Sequence, residues 1–327
     1  MRAWLLDELS GIGKLRIAEV ADPSPGDDEV VLRVNYAALN PADRYLAERL
    51  YPANPPLPHV LGRDGMGTVL ATGRAVKDVR AGQTYAILRG EAGVSRWGTF
   101  AEFVAVPAAY LVPIPAGWTD EESAGATLVY LAAHQALTMW GDLPPSVVLV
   151  TGASGGVGVA ATQLARAMGH TVVALSRSEE KQQRLRELGA SMALDPNDPG
   201  WRKRLKDRLA PRRVDLAIDN IGGALLPQVI DTLGENGRVS LVGRLAGPVP
   251  EFNTAALFFR RIRMGGVALG AYTAQEARTA WQSVVSLLAK ISAKPIVDHV
   301  FPFDQLPAAF ERLREGPMGK VLMKVGA

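Results

Sequence analysis

The sequence predicts an α/β protein whose central part is a doubly wound parallel sheet with crossover helices on both faces. Three observations predict it. Between Val147 and Val242, short apolar runs alternate with helix-like stretches. The first run ends in a turn with glycine at 152, 155, 156 and 158, and a helical pattern begins inside that turn. The segments on either side have a different texture, β-rich before about Thr119 and mixed from about residue 270 onward.

In the first segment, Val30–Val34, Gly67–Ala71 and Ala101–Val106 read as strands bounded by Pro, Gly and Asp clusters. Tyr51 to Pro58 is too rich in proline for a regular helix or a central strand and reads as a surface loop. Thr119 followed by Asp120, Glu121 and Glu122 has the form of a helix N-cap, and an Ala-rich helix is expected from there towards Met139. The central strands are Val147 to Val150, Thr171 to Leu175, Val214 to Ile218 and Arg238 to Val242, with helices Val157 to Met168 and Glu179 to Leu188 between them. Towards the end, Ala274 to Ala289 and Pro307 to Arg314 are helical, and Lys320 to Val325 is a closing strand.

A chain of 327 residues fits about two domains. It has no cysteine, which excludes disulfides, thiol nucleophiles and any zinc site that uses cysteine. An acid at Asp7 interrupts the N-terminus before a signal peptide's apolar run is complete, and no stretch has the roughly 20 apolar residues of a membrane span. A cytoplasmic protein that does not cross a membrane is expected. The net charge, 36 − 33 = +3, is small. The one basic cluster, Arg202 to Arg208, carries Leu205 and Leu209 four residues apart. It reads as the solvated face of a helix rather than a nucleic-acid surface, since no aromatic platform is interleaved.

Strand, glycine turn and helix in that order are what a dinucleotide site requires. Gly152, Gly155, Gly156 and Gly158 let the backbone turn tightly and approach a pyrophosphate, and Ser154 and Val157 lie within the same turn. The helix N-terminus then offers free N–H groups to the phosphates. At the end of the next strand an NAD site normally places Asp or Glu, but this chain has Ser176 and Arg177, with Lys181 one helical turn further on. A hydroxyl and two cations suit a 2′-phosphate, which a carboxylate would repel. NADPH is the expected coenzyme.

At this point the chain resembles the medium-chain dehydrogenase/reductase superfamily, in its zinc-free quinone oxidoreductase-like branch. The marks are Ala38-Leu39-Asn40-Pro41-Ala42-Asp43, Leu57 to Val69, the glycine turn, Asp215 to Gly223, and Gly237 to Gly243. The resemblance implies a GroES-like, partly open β-barrel formed by residues 1–118 and 270–327. A Rossmann domain, residues 119–269, is inserted in it, with the active site in the cleft. Zinc-dependent relatives carry Cys where this chain has Asn40, and Gly-His-Glu where it has Gly62-Arg63-Asp64. The four histidines, at 59, 134, 170 and 299, show no ligand spacing, so no metal is expected.

Without a zinc Lewis acid, the accessible chemistry is hydride delivery to a small-molecule acceptor that activates itself: a quinone or an α,β-unsaturated carbonyl. By similarity Asn40, Tyr45 and Tyr51 line the substrate pocket near the nicotinamide. A tyrosine there would stack on a flat acceptor, bind its carbonyl or relay a proton. Equally, Tyr45 fits a core or helix-surface aromatic, and Asn40 a turn former before Pro41. A family threonine that touches the nicotinamide aligns with Ala132, leaving Thr127 to substitute from one turn earlier. Asn220, Gly243 and Arg244 match strand-end positions that border the coenzyme.

Two other functions stay open. A 2-enoyl thioester reductase would use the same hydride geometry with a cationic rim, for which Arg44, Arg49, Arg63, Arg89 and Arg96 are candidates. A sensor or structural protein would bind NADPH with little turnover. The resemblance also implies a homodimer paired through the last Rossmann strand, here Arg263 to Leu269.

Overall fold

The computed structural model describes residues 1–88, 91–249 and 251–326. These form two compact units: Met1–Leu128 with Tyr272–Gln282 and Lys294–Ala327, and Val129–Ala271 with Ser283–Ala293. The first boundary lies later than residue 118. The helix expected from Ala274, observed over Ala274–Lys290, is divided between the two.

The second unit is built on six parallel strands. Their order across the sheet is Met192–Leu194, Thr171–Leu175, Val147–Val150, Val214–Asp219, Leu233–Leu241 and Arg263–Gly266. In chain order this is third, second, first, fourth, fifth, sixth. The winding therefore reverses between Val147–Val150 and Val214–Asp219, and a crevice for ligands opens outside the strand ends at such a switch point. Val147 to Val150 are all fully buried, as a continuous apolar run covered on both faces must be. The fifth strand starts at Leu233 rather than Arg238. The basic cluster lies on the helix Trp201–Leu209, which turns Trp201 and Leu205 into the core while Lys203 pairs with Asp207 and Arg202 with Asp231.

The first unit contains a three-stranded antiparallel sheet and a larger one. The latter runs Val297–Pro302, Lys320–Lys324, Glu29–Ala38, Gly65–Thr72, Thr84–Ile87 and Leu111–Pro113, with Phe103–Pro107 also pairing to Glu29–Ala38. All neighbours are antiparallel except Val297–Pro302 with Lys320–Lys324. Strands from opposite ends of the sequence thus share one sheet, over a core that includes Leu6, Leu32, Leu61 and Phe100. The ring of Phe100 meets Phe310 edge-on at 5.9 Å.

Thr119 caps its helix as expected. Its Oγ1 accepts from the Glu122 N–H at 3.1 Å, and the Glu122 carboxylate accepts from the Thr119 N–H at 2.7 Å. The Ala-rich stretch is two helices, not one: Asp120–Ala124 and Thr127–Thr138. Gly125 ends the first, and a Cβ added there would lie 3.1 Å from Lys320 Cβ. The break lets the closing strand pass close by and turns Thr127 inward.

Candidate functional site

The glycine turn leaves Val147–Val150 at the switch point. Gly152 takes φ +54°, which favours glycine, and its carbonyl accepts from the Gly155 N–H at 3.0 Å to close the turn. A Cβ on Gly158 would fall 2.3 Å from the Gly152 oxygen, so only glycine lets the helix Gly156–Ala167 pack this tightly on the turn. Gly155 has the opposite surroundings, its nearest atom 3.5 Å from an added Cβ. Ser154, Gly155, Gly156 and Val157 are half-buried, and the first N–H groups of the helix have no partner within it, as at any helix start.

The fourth strand supplies the other wall. Thr151 Oγ1 donates to Asp219 Oδ1 at 2.7 Å and accepts from the Asn220 N–H at 2.9 Å, while Asn220 Nδ2 donates to the Thr151 carbonyl at 2.7 Å. These bonds hold the Asn220 side chain rigidly, yet its Oδ1 is buried without a hydrogen-bond partner. A Cβ on Gly243 would approach the Asn220 carbonyl at 2.8 Å, which keeps that strand end bare. Arg244 beside it is exposed. A narrow glycine-lined turn, free helix N–H groups and an orphaned buried acceptor fit the pyrophosphate and ribose of a dinucleotide.

Ser176 and Arg177 follow the second strand. Ser176 is buried, with its N–H on Leu194 O at 3.0 Å and its carbonyl taken by Gln182 Nε2 at 2.9 Å. Arg177 is exposed and, among the described residues, makes no ion pair. Ser178 caps the next helix, so Glu179 and Glu180 sit in its first turn, where acids complement the dipole. Lys181 lies in the same turn.

The first unit gathers the other candidates around a buried network that the sequence did not reveal. Asn40 begins the helix Pro41–Ala47, and its N–H donates to Asp43 Oδ2 at 2.9 Å. Asp43 is fully buried and ion-paired to Arg63, whose Nε lies 3.0 Å from Asp43 Oδ1. Burial pushes the Asp43 carboxyl above its ordinary range, against the opposing pull of Arg63. Arg63 also donates to the Ala42 carbonyl at 3.0 Å and stacks over the Tyr51 ring, 4.6 Å from its centroid.

A second buried pair lies beside the first. Lys320 Nζ donates to Asp64 Oδ2 at 3.1 Å, Asn40 Oδ1 at 2.7 Å and the Leu39 carbonyl at 3.0 Å. The closing strand brings it there, because Leu322 pairs with Ala38 and the Leu39 N–H donates to Val321 O. Arg63 and Asp64, two of the positions aligned with zinc ligands, are thus each built into an ion pair within the protein. Among the described residues no group of three or more His, Asp or Glu stands close enough to hold a metal ion. His59 is buried, which lowers its pKa, and its Nε2 has no hydrogen-bond partner.

Two expectations change here. Thr127 is fully buried in this unit, with Oγ1 2.7 Å from the Ile87 carbonyl and 2.9 Å from Asp64 Oδ1. Its hydroxyl is engaged inside the barrel, so the coenzyme contact expected of it is withdrawn. Arg63 is 8% exposed and serves Asp43 and Tyr51, so it is no part of a rim. Arg44 pairs with Glu48 at 3.5 Å and Arg96 with Glu29, Arg49 is exposed, and Arg89 lies outside the described residues. Tyr45 is half-buried with its hydroxyl buried and unpartnered, while Tyr51 is half-buried against the core. Asp43 and Asp64 stood within the quoted motifs but gave no sign of their partners. The one signal for Lys320 was a lysine directly preceding the apolar run Val321-Leu322-Met323 of the closing strand.

Residues 26–116 match the family model described as the alcohol dehydrogenase GroES-like domain, and residues 156–290 the one described as zinc-binding dehydrogenase. The chain is 31% identical to the human synaptic vesicle membrane protein VAT-1 homolog, over 100% of this chain and 87% of that protein. It is 27% identical to a quinone oxidoreductase of Sus scrofa, over 94% and 92% of the two. Among solved structures, an NAD-dependent alcohol dehydrogenase matches with a TM-score of 0.91 at 30% identity, covering both chains fully. A mycobacterial protein solved with NADPH matches at 0.89 and 25%, over 99% of each.

Proposed function

Because the chain belongs to the medium-chain dehydrogenase/reductase superfamily, in its zinc-free quinone oxidoreductase-like branch, we propose that it is an NADPH-dependent reductase of quinones or α,β-unsaturated carbonyls. The observation that carries the coenzyme reading is Arg177, an exposed guanidinium with no carboxylate partner among the described residues, where an NAD site has an acid. Gly152 to Gly158 would hold the pyrophosphate, and Ser176, Arg177 and Lys181 the 2′-phosphate. Asn220 Oδ1 offers an acceptor to a coenzyme N–H or hydroxyl, with Gly243 and Arg244 bordering it. When bound, the reduced nicotinamide supplies the hydride.

The acceptor reading rests on the buried pairs Asp43–Arg63 and Asp64–Lys320. They tie up Arg63 and Asp64, two of the ligand positions, with partners inside the protein, which favours an acceptor that spreads incoming charge over its own conjugated system. Asn40 then donates to its oxygen, and Tyr51, stacked on Arg63, presents a ring to a flat molecule. A carrier-linked enoyl thioester is a weaker fit, since Arg44, Arg63 and Arg96 are all engaged by carboxylates. The engaged Thr127 hydroxyl favours, as a second reading, a coenzyme-binding protein of low turnover.

The test is an oxidation panel of NADPH and NADH against quinones, enones and enoyl thioesters. The reductase reading expects turnover with NADPH on one of the first two classes. Tight NADPH binding with no oxidation across all three selects the low-turnover reading instead. We further propose a homodimer through Arg263–Gly266, the terminal strand of its sheet. No helix among the described residues is long and apolar enough to cross a membrane.

A further inference from the structure

We propose that Lys320 is a positioning residue that fixes the Asn40 side-chain amide as a hydrogen-bond donor for the acceptor, an inference that rests on the reductase reading above. An ammonium has three donors and no acceptor. The Asn40 atom 2.7 Å from Nζ is therefore Oδ1, and the amide N–H edge must face the other way. The capping box of the helix Pro41–Ala47 turns the Asn40 side chain towards the Asp43 N–H as well, and the ammonium holds its oxygen there at 2.7 Å. The Asn40 Nδ2 lies 3.2 Å from Ala38 O and 3.4 Å from Asp64 Oδ2, at the long end of hydrogen-bond geometry. Weakly held N–H groups on a firmly held amide are what a donor needs if it is to exchange partners with an incoming oxygen.

The ammonium itself has no freedom to leave. Its other two N–H groups serve Leu39 O and Asp64 Oδ2, so all three are used, and it is only 4% exposed. The far oxygen of Asp64 lies 2.9 Å from Thr127 Oγ1, whose one proton it shares with Ile87 O at 2.7 Å. Asp64, Lys320 and Asn40 form a buried chain of fixed polarity, carboxylate to ammonium to amide oxygen, in which the ammonium has no donor to spare. Lys320 touches neither reactant; it acts through Asn40.

The test is a double-mutant cycle on the full chain, with Asn40→Ala in one arm and Lys320→Met/Asp64→Asn in the other. The second arm removes both charges together, so that no unpaired ion is left buried. Lys320→Met/Asp64→Asn is expected to lower kcat/KM for the acceptor by about 10- to 100-fold, the range for one hydrogen bond to a charged group. It should leave NADPH affinity unchanged. In the Asn40→Ala background the same pair is expected to change kcat/KM less than about twofold, because nothing remains to be positioned. A loss of equal size in both backgrounds overturns the proposal.

A second readout needs no turnover. In protein labelled with 15N at asparagine side chains, and assigned with Asn40→Ala, the Asn40 amide pair should shift or double in Lys320→Met/Asp64→Asn. An unchanged pair overturns the proposal even if activity falls. If the unmodified protein reduces no acceptor, the reductase reading fails while the amide spectrum still decides whether Lys320 fixes Asn40.

Discussion

Replacing Arg63 with methionine keeps most of the side-chain stem and removes the charge opposite Asp43. Asp43 is fully buried, and the pair is separated by 3.0 Å, so the substitution leaves an unpaired carboxylate in the barrel core. Breaking such a pair costs about 3–5 kcal/mol near neutral pH. Asp43 already has a pKa raised by burial, with Arg63 as the first opposing influence, so losing Arg63 raises it further. A carboxyl raised above its unfolded value, about 3.9, contributes stability that is present at low pH and lost as pH climbs through the folded value. The variant's deficit against the parent therefore grows by about 1.4 kcal/mol per pH unit between the two folded-state pKa values and is flat outside that interval. At low pH only the lost bond to Ala42 O and the Tyr51 stacking remain, about 1–2 kcal/mol together. Hydrogen exchange of amides in Glu29–Ala38 reads the barrel unit separately from the coenzyme unit. A deficit below about 1 kcal/mol at pH 7, or one that does not vary between acid and neutral pH, refutes this account of the pair.

Arg177→Asp should raise the Michaelis constant for NADPH about 10- to 100-fold and affect NADH far less; equal responses to the two coenzymes remove Arg177 from the 2′-phosphate site. Thr127→Ala should lower stability by about 1–3 kcal/mol by leaving a buried acceptor unpaired, with coenzyme affinity measured by fluorescence titration unchanged. A large loss of affinity would return Thr127 to the coenzyme. The proposed dimer predicts a solution mass near twice 34.9 kDa, and Met264→Pro, which strikes the terminal strand, should shift it towards the monomer. A monomer at micromolar concentration in the parent protein ends that proposal.

The Rossmann half was legible because its signals are local. Val147 to Val150 is a run that only a strand covered on both faces explains, and Gly158 follows at the spacing a tight turn onto a helix demands. Thr119 was readable for the same reason, since a cap and its Glu122 partner lie within one turn. The buried network of the first unit was not, because its partners are remote in sequence. Nothing in Gly62-Arg63-Asp64 says that the arginine turns inward to Asp43 while the aspartate meets a lysine 256 residues later. Thr127 misled for a related reason. A threonine one helical turn before the expected position fits the pattern, but its environment is set by the break at Gly125 and by Lys320 beside it.

That separation has a consequence for how the molecule is made. At about 5–20 residues per second, roughly 10–50 s pass on the ribosome between the synthesis of Asp64 and that of Lys320. All six strands of the second unit are synthesised in that interval, while Tyr36, Ala37 and Ala38 at the end of the strand Glu29–Ala38 still lack the partner that Lys320–Lys324 supplies. The nascent chain therefore carries a short stretch of unpaired strand and an unneutralised aspartate until Lys320 has been synthesised. Biogenesis orders the two halves in time: the unit built on the parallel sheet has all its strands in hand first, and the unit that needs Lys320 closes after it.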